Sequence, residues 1–261
     1  MRLPRGDRME ANVKKIILEK LCEIEKREGV EILHAVESGS RAWGFPSPDS
    51  DYDVRFIYLR PREHYLRLDK VRDVIEWQLD ETLDINGWDL QKALRLVHKS
   101  NPTVFEWRSS PIVYKTTGKW QEISEVTGEY FNKREALYHY LNIARGNYRA
   151  YLTGERVRLK KYFYVLRPLL ACKWILAEGT PPPMPFGTLM EKYLDEGVRG
   201  DVQRLLEMKT KTPELGEAKH LYGLDEYLVS LADELDGIIS ALPKDSPGGW
   251  DRLNDIFLKQ L

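Results

Sequence analysis

A glycine-containing turn between two strand patterns is the feature that most constrains how this chain folds. Residues 30–36 form a short apolar segment that runs directly into the turn at residues 38–44 (SGSRAWG). In residues 52–58, apolar side chains alternate with Asp53 and Arg55, which is typical of a β-strand with two different faces. The sequence therefore predicts that one strand leads into the turn and that a second strand follows it.

The turn carries residue types that bind phosphate. Gly39 and Gly44 allow the backbone to bend and to approach a ligand closely. The hydroxyls of Ser38 and Ser40, together with the local backbone amides, can donate hydrogen bonds to an anion. The candidate phosphate-binding residues are therefore Ser38, Gly39, Ser40 and Arg41.

Asp51 and Asp53 follow the turn and are two positions apart. Side chains at positions i and i+2 of a strand point to the same face, so both carboxylates can reach one cation. Magnesium favours such oxygen ligands and takes one or two carboxylates together with substrate phosphates. Two aspartates alone would equally fit a hydrophilic strand edge, but the turn upstream favours a site for metal-assisted nucleotidyl transfer.

A third carboxylate is normally needed to hold a catalytic metal and to activate a hydroxyl nucleophile. Asp84 is the leading candidate because it lies in a short apolar segment that ends at Gly87. Asp80 and Glu81 come just before this segment, and Asp89 fits a helix N-cap. Asp84 would also fit an ordinary solvated strand position, and the choice between Asp84 and Asp89 as the third carboxylate stays open.

The second half of the chain has a different character. Helical periodicity dominates from about residue 136, which predicts a first domain of residues 1–130 and a helical domain of residues 131–261. Residues 133–173 carry ten Lys/Arg against two Glu, whereas residues 201–261 carry seven Lys/Arg against twelve Asp/Glu. The basic segment is the candidate polyphosphate or nucleic-acid surface, and the acidic segment fits a solvated helical exterior.

A helix predicted over residues 157–177 places basic and aromatic side chains beside its apolar stripe. Lys160, Tyr164 and Arg167 fall at i, i+4 and i+7 and therefore share one face, and Lys161 adjoins them. Lys and Arg can neutralise a triphosphate and Tyr can stack on a base, although an ordinary solvated basic face has the same pattern. Pro168 is expected to kink or break this helix.

The composition excludes several classes of protein. The 261 residues include 40 Lys+Arg and 41 Asp+Glu, so a globally basic nucleic-acid binder is not indicated. Cys22 and Cys172 lie in apolar helical patterns and are predicted to be reduced core residues. Because no apolar run approaches a membrane span and the N-terminus lacks an apolar signal core, we expect a cytoplasmic protein with no membrane partner.

Together, these motifs resemble a known superfamily. Gly39-Ser40 after a strand, followed by Asp51 and Asp53, is similar to the signature of the DNA polymerase β-like nucleotidyltransferases. The segments that resemble its RNA-repair-associated branch, called RlaP for RNA-ligase-associated partner, are residues 37–44 (ESGSRAWG), 84–89 (DINGWD), 99–102 (KSNP) and 160–168 (KKYFYVLRP). The resemblance implies an α+β fold in which a small mixed β-sheet core is followed by a helical C-terminal domain, with a cleft between them.

The same resemblance implies roles for individual residues. Ser40 and Gly39 would contact the triphosphate, and the helix that begins with the Lys-Lys-Tyr sequence would close over the nucleotide. The first two metal ligands map onto Asp51 and Asp53, and the third maps onto Asp84.

The expected function is a nucleotidyltransferase that depends on Mg²⁺, or on Mn²⁺ in its place. It would move a nucleoside monophosphate from an NTP to a hydroxyl with release of pyrophosphate, on an RNA end in RNA repair or processing. An RNA ligase or another repair enzyme is the expected partner. Two alternatives stay open: nucleotidylation of a protein or small-molecule hydroxyl, and a non-catalytic nucleotide-binding or RNA-binding partner of a repair enzyme.

Overall fold

The computed structural model describes residues 5–78, 82–211, 217–244 and 248–261. Asp80 and Glu81, considered above as carboxylates before a strand, lie outside these ranges. The first half of the chain alternates strands and helices, and the second half is mainly helical, so the fold is α+β as predicted. Its elements are α1 (Arg5–Glu28), β1 (Glu31–Glu37), α2 (Gly39–Ala42), β2 (Tyr52–Leu59), α3 (Arg62–Tyr65), β3 (Val74–Gln78), β4 (Leu83–Asp89), α4 (Leu90–His98), α5 (Pro102–Arg108), β5 (Val113–Thr116), α6 (Gly118–Gly128), α7 (Lys133–Tyr151), β6 (Val157–Arg158), α8 (Lys161–Glu178), α9 (Phe186–Tyr193), α10 (Glu196–Lys211), β7 (Glu217–Ala218), α11 (Tyr222–Ala241) and α12 (Asp251–Gln260).

The main sheet is mixed and has the strand order β3-β4-β2-β1-β5. Strand β1 is antiparallel to both β2 and β5, and β3 is antiparallel to β4. Strands β2 and β4 are parallel, with Asp53 directly opposite Asp84 in the register. Asp53 and Asp84, which are far apart in sequence, therefore lie side by side near the start of two neighbouring central strands.

Strand β2 is buried on both faces for most of its length. Val54, Phe56 and Tyr58 pack in a cluster that also contains the inner face of α1. On the other face, Ile57 and Leu59 pack with helices α4, α5, α6 and α12. The sequence pattern predicted that one face would carry the carboxylates, but the polar part of that face is limited to the first residues of the strand because helices cover the rest.

The helical half has its own core, formed by α7 to α11. Phe45, which directly follows the glycine-containing turn, is buried in this core and packs against Phe163 and Phe186 at ring-centroid distances of 4.9 and 5.4 Å. The turn is therefore anchored in the helical half as well as in the sheet.

Helix α8 differs from its sequence prediction at two points. It begins at Lys161, because residues 157 and 158 pair with β7 as a short two-stranded ribbon. Pro168 does not break the helix, which continues to Glu178. Proline has no N–H to donate to the carbonyl of Tyr164, and that carbonyl instead accepts a hydrogen bond from Asn147 Nδ2 of α7 at 2.9 Å.

Three further observations concern helix α12, the two cysteines and membrane-spanning helices. Helix α12 packs through Leu253 and Ile256 into the cluster beneath the sheet, so the last helix contacts the first half of the chain; the domain boundary near residue 130 stays a prediction. Both cysteines are free, but only Cys172 is buried; the prediction of a core position for Cys22 was wrong because it lies on the exposed side of α1. No helix in the described part of the chain is long and apolar enough to cross a membrane.

Candidate active site

The turn requires glycine at position 39 for two independent reasons. Gly39 has φ +61°, in the left-handed region that favours glycine. A Cβ at this position would lie 2.1 Å from Asp53 Oδ2. In addition, the Ser38 N–H donates a hydrogen bond of 2.8 Å to the carbonyl of Asp53. The turn and the first aspartate of β2 are therefore held in direct contact.

Ser40 and Arg41 tie the turn to the segment that enters β2. Ser40 Oγ donates to Ser50 Oγ at 3.1 Å. Arg41 donates from Nη2 to the carbonyl of Ser50 at 2.7 Å and from Nε to the carbonyl of Asp51 at 3.2 Å. Its guanidinium also stacks 3.7 Å from the centre of the Tyr52 ring. Arg41 thus holds the backbone beside the aspartates.

Two of the three predicted carboxylates are brought together. Asp53 and Asp84 are register partners, and one Arg55 nitrogen, Nη2, contacts both, at 2.9 Å from Asp53 Oδ1 and 2.7 Å from Asp84 Oδ2. Asp51 precedes β2 and is exposed. Asp89 lies at the other end of β4, where it is buried and accepts hydrogen bonds from Gln91 N and Tyr65 Oη. The structure therefore places Asp84, and not Asp89, beside Asp53.

Arg55 was not among the predicted site residues. Its position two residues after Asp53 already placed it on the carboxylate face, but only the tertiary structure shows that it contacts both aspartates. Burial raises the pKa of Asp53, Arg55 acts in the opposite direction, and the charges of Asp84 and Asp51 raise it further. The site thus concentrates negative charge that a cation stabilises.

Glu37 is a second residue that the prediction left without a role. Its side chain is fully buried behind the turn, where Oε1 accepts from the Asp53 N–H at 2.8 Å and Oε2 accepts from the Tyr114 hydroxyl. Burial raises the pKa of Glu37 to about 7. The sequence signal that could have identified this residue is a glutamate at the end of an apolar strand, directly before Ser38. Glu37 fixes the backbone position of Asp53.

The donor set fits a divalent cation. Within the ranges that the structure describes, no three His, Cys, Asp or Glu side chains converge as a complete metal site. However, the adjacent carboxylates of Asp53 and Asp84 already share a positive partner in Arg55. Magnesium takes only one or two carboxylates when substrate phosphates supply other oxygens, so these two, with Asp51 close in sequence, suit such an ion.

Tyr164 of α8 lies near the carboxylates, and Lys160 and Lys161 adjoin it at the start of the helix. Burial raises the pKa of Tyr164, and the charges of Asp53 and Asp51 contribute to the rise, which places this ring within their electrostatic range. Lys161 Nζ lies 4.6 Å from the centre of the Tyr164 ring. Burial lowers the pKa of Lys161, and neighbouring Lys160 adds to the effect. Three of the four α8-region residues predicted from sequence are therefore close to one another.

Arg167, the fourth predicted residue, is in a different place. It is 3% exposed, and its Nη1 donates to Glu106 Oε1 at 2.8 Å. The Tyr140 hydroxyl donates to the same carboxylate oxygen at 2.8 Å. The Arg167 guanidinium also lies 4.8 Å from the Trp43 ring centre. Helical spacing suggested an exposed cation, but the ion pair with Glu106 of α5 could not be read from the sequence.

Lys209 of α10 supports the far side of the turn. It is buried, and Nζ donates to the Phe45 carbonyl at 3.0 Å. Burial lowers the pKa of Lys209 to about 8, with a further lowering from Lys160. Nothing in the local pattern of α10 indicated this contact, because the partner lies in the first half of the chain.

Comparison with known proteins identifies the family. The family described as "RlaP: RNA repair pathway DNA polymerase beta family" matches residues 13–259. The uncharacterized protein YcgL of Bacillus subtilis (strain 168) is 50% identical over 207 residues, which cover 78% of this chain and 79% of that protein. A crystal structure of a nucleotidyltransferase-like protein from Exiguobacterium sibiricum 255-15 aligns with 86% of this chain and 75% of that chain, at 14% identity and a TM-score of 0.32. Because the family match spans almost the whole sequence, this chain belongs to the RlaP family of polymerase β-like nucleotidyltransferases.

Proposed function

We propose that this protein transfers a nucleoside monophosphate from an NTP to a hydroxyl acceptor and releases pyrophosphate. The observation that carries the proposal is the parallel register that sets Asp84 beside Asp53, next to a turn whose glycine is in van der Waals reach of the Asp53 carboxylate. A phosphate-binding turn and paired carboxylates in one place suit metal-assisted nucleotidyl transfer.

Each part of the site has a role in this reaction. The amides and hydroxyls of Ser38, Gly39 and Ser40 bind the triphosphate. Asp51, Asp53 and Asp84 would hold Mg²⁺ or Mn²⁺, which when bound neutralises phosphate charge and increases the acidity of the acceptor hydroxyl. Lys160 and Lys161 add positive charge beside Tyr164, which lies within electrostatic range of Asp53 and is assigned to stack on the base.

The transfer itself breaks one bond and forms another. The acceptor oxygen bonds to the α-phosphorus, the bond from the α-phosphorus to the bridging oxygen breaks, and pyrophosphate leaves. Asp84 is assigned to accept the hydroxyl proton, since half of its side chain is exposed (52%) and can be reached by an acceptor. Arg167 is not assigned to the triphosphate, because it is buried against Glu106.

The proposed acceptor is an RNA end, and an RNA ligase or other repair enzyme is the proposed partner. The excess of ten Lys/Arg over two Glu in residues 133–173 supports a polyanionic acceptor, and the family description refers to RNA repair. The two free cysteines agree with the proposed cytoplasmic location.

The transfer reaction is tested with the four labelled NTPs, Mg²⁺ or Mn²⁺, and RNAs with defined 5′ and 3′ ends. Asp53→Asn should lower the rate by about a hundredfold or more, because it removes a metal-binding charge without changing the side-chain size. Asp69→Asn, which alters an exposed aspartate paired with Arg67, is the matched control and should retain full activity.

Several outcomes would contradict the proposal. Full activity in Asp53→Asn would exclude the mechanism. Labelling of a protein or small-molecule hydroxyl, with none on RNA, would replace the RNA acceptor. NTP binding with no pyrophosphate release on any acceptor would indicate a non-catalytic nucleotide-binding protein.

A further inference from the structure

Arg55 occupies the place between the two carboxylates that face each other across β2 and β4. Nη2 contacts Asp53 Oδ1 and Asp84 Oδ2 at 2.9 and 2.7 Å. Nη1 donates to the backbone carbonyls of Asp84 and Val54 at 2.9 and 3.1 Å. With only 18% of its side chain exposed, the guanidinium is held in a defined position by four oxygen acceptors.

This arrangement follows from the strand geometry. Arg55 is two residues beyond Asp53, so both side chains emerge on the same face of β2. The parallel register places Asp84 across from Asp53, and the planar guanidinium has enough donors to serve both carboxylates at once. The oxygens that it contacts are the ones that a cation bridging Asp53 and Asp84 would need.

We propose that Arg55 is the resident counter-ion of the metal-free site and that it competes with the divalent cation for Asp53 and Asp84. This inference rests on the proposed function, which places a divalent cation at these carboxylates. Entry of the ion requires the guanidinium to leave both aspartates, so metal affinity is reduced by the stability of the arginine-bound state. Arg55 thereby keeps the paired carboxylates neutralised until metal is bound.

Removal of Arg55 should tighten metal binding by about tenfold or more, since a hydrogen bond between charged groups has about that effect on an equilibrium constant. The variant Arg55→Gln keeps a polar side chain of similar length but no charge. Its metal-free form should be less stable than the wild type, because two adjacent carboxylates then lack a counter-ion. Added Mg²⁺ should raise its melting temperature more than it raises that of the wild type.

The test measures Mn²⁺ binding to the full chain by electron paramagnetic resonance, without nucleotide or acceptor. Wild type, Arg55→Gln and the control Arg67→Gln are compared; Arg67 is an exposed arginine paired with Asp69, so the control removes the same charge elsewhere. We expect tighter binding in Arg55→Gln, no change in Arg67→Gln and weakened binding in Asp53→Asn. In parallel, the ¹⁵Nε signal of Arg55 in the wild type should shift as Mg²⁺ saturates the site.

Unchanged Mn²⁺ affinity in Arg55→Gln, or no saturable binding in either protein, would overturn the proposal. An Arg55 signal that does not move at metal saturation would also overturn it, because the ion would then bind without displacing the guanidinium. The test contains no NTP, so its result is independent of transfer activity. Tighter Mn²⁺ binding in Arg55→Gln would support the competition between Arg55 and the cation. If no transfer occurred on any acceptor, the same result would still contradict the proposed function.

Discussion

At the scale of single residues, the site depends on Gly39 and Glu37, which both contact Asp53. Gly39 combines a left-handed backbone with contact to the Asp53 carboxylate. Glu37 is completely buried and accepts from the backbone N–H of the same aspartate. The sequence predicted the glycine from its turn chemistry, but the importance of Glu37 depends on a neighbour 16 positions away.

Gly39→Ala should reduce transfer activity by about a hundredfold or more, because the new Cβ would displace the Asp53 carboxylate. The left-handed backbone should add a stability cost of about 1–2 kcal/mol. Gly44→Ala is the matched control: Gly44 also has positive φ, but a Cβ there meets no atom within 4 Å. The left-handed backbone should cost both variants about 1–2 kcal/mol, so equal activity in the two would contradict the proposed contact.

His34 should make stability depend on pH. It is 4% exposed and stacked on Trp120, and burial lowers its pKa to about 4 from an ordinary 6.5. Between pH 6.5 and pH 4, His34 binds a proton in the unfolded chain but not in the folded chain. The contribution of His34 to the free energy of unfolding is therefore complete above pH 6.5 and decreases as the pH falls toward 4. Relative to His34→Gln, the wild type should lose about 3 kcal/mol over that interval. Urea unfolding at several pH values measures the free energy of unfolding of both proteins. Parallel pH profiles for the wild type and His34→Gln would refute the lowered pKa of His34.

At the scale of elements, helix α8 continues through Pro168 because a neighbouring helix completes its hydrogen bonding. The local rule that proline interrupts a helix is physically sound, but it considers only the chain itself. Asn147 of α7 supplies the donor that proline lacks. The start of α8 was also displaced from the predicted position, because residues 157 and 158 pair with β7.

Asn147→Ala should destabilise the protein by about 1 kcal/mol, since the carbonyl of Tyr164 then loses its donor. In a Pro168→Ala background the same substitution should cost much less, because the alanine N–H at position 168 can bond to that carbonyl within the helix. Chemical denaturation of the four proteins in a double-mutant cycle gives the coupling. Additive costs would show that Asn147 does not compensate for the proline.

At the scale of the whole molecule, the two halves are joined by buried contacts around the turn. Arg167 of α8 pairs with Glu106 of α5 and lies over Trp43. Lys209 of α10 donates to the carbonyl of Phe45. Helix α12 returns to the cluster beneath the sheet. The contacts of Arg167 and Tyr164 with Trp43 hold helix α8 against the turn.

Glu106→Leu should destabilise the protein by about 3–5 kcal/mol, because it leaves the buried Arg167 without a counter-charge. The double variant Glu106→Leu/Arg167→Met should recover most of that loss, since neither partner then carries a buried charge. Urea unfolding measures the free energy of unfolding of the single and the double variant. A double variant as unstable as the single one would show that the loss at Glu106→Leu comes from packing and not from the unpaired guanidinium.

The sequence by itself determined the strand, turn and strand that open the site, the shared face of Asp53 and Arg55, and the family, because all of these follow from local periodicity and short motifs. Tertiary structure alone decided that Asp84 lies beside Asp53, that Arg55 bridges the pair and that Arg167 turns inward to Glu106. Strand register and buried pairing are set by packing between segments distant in the chain, and local spacing contains no information about which distant partner is met.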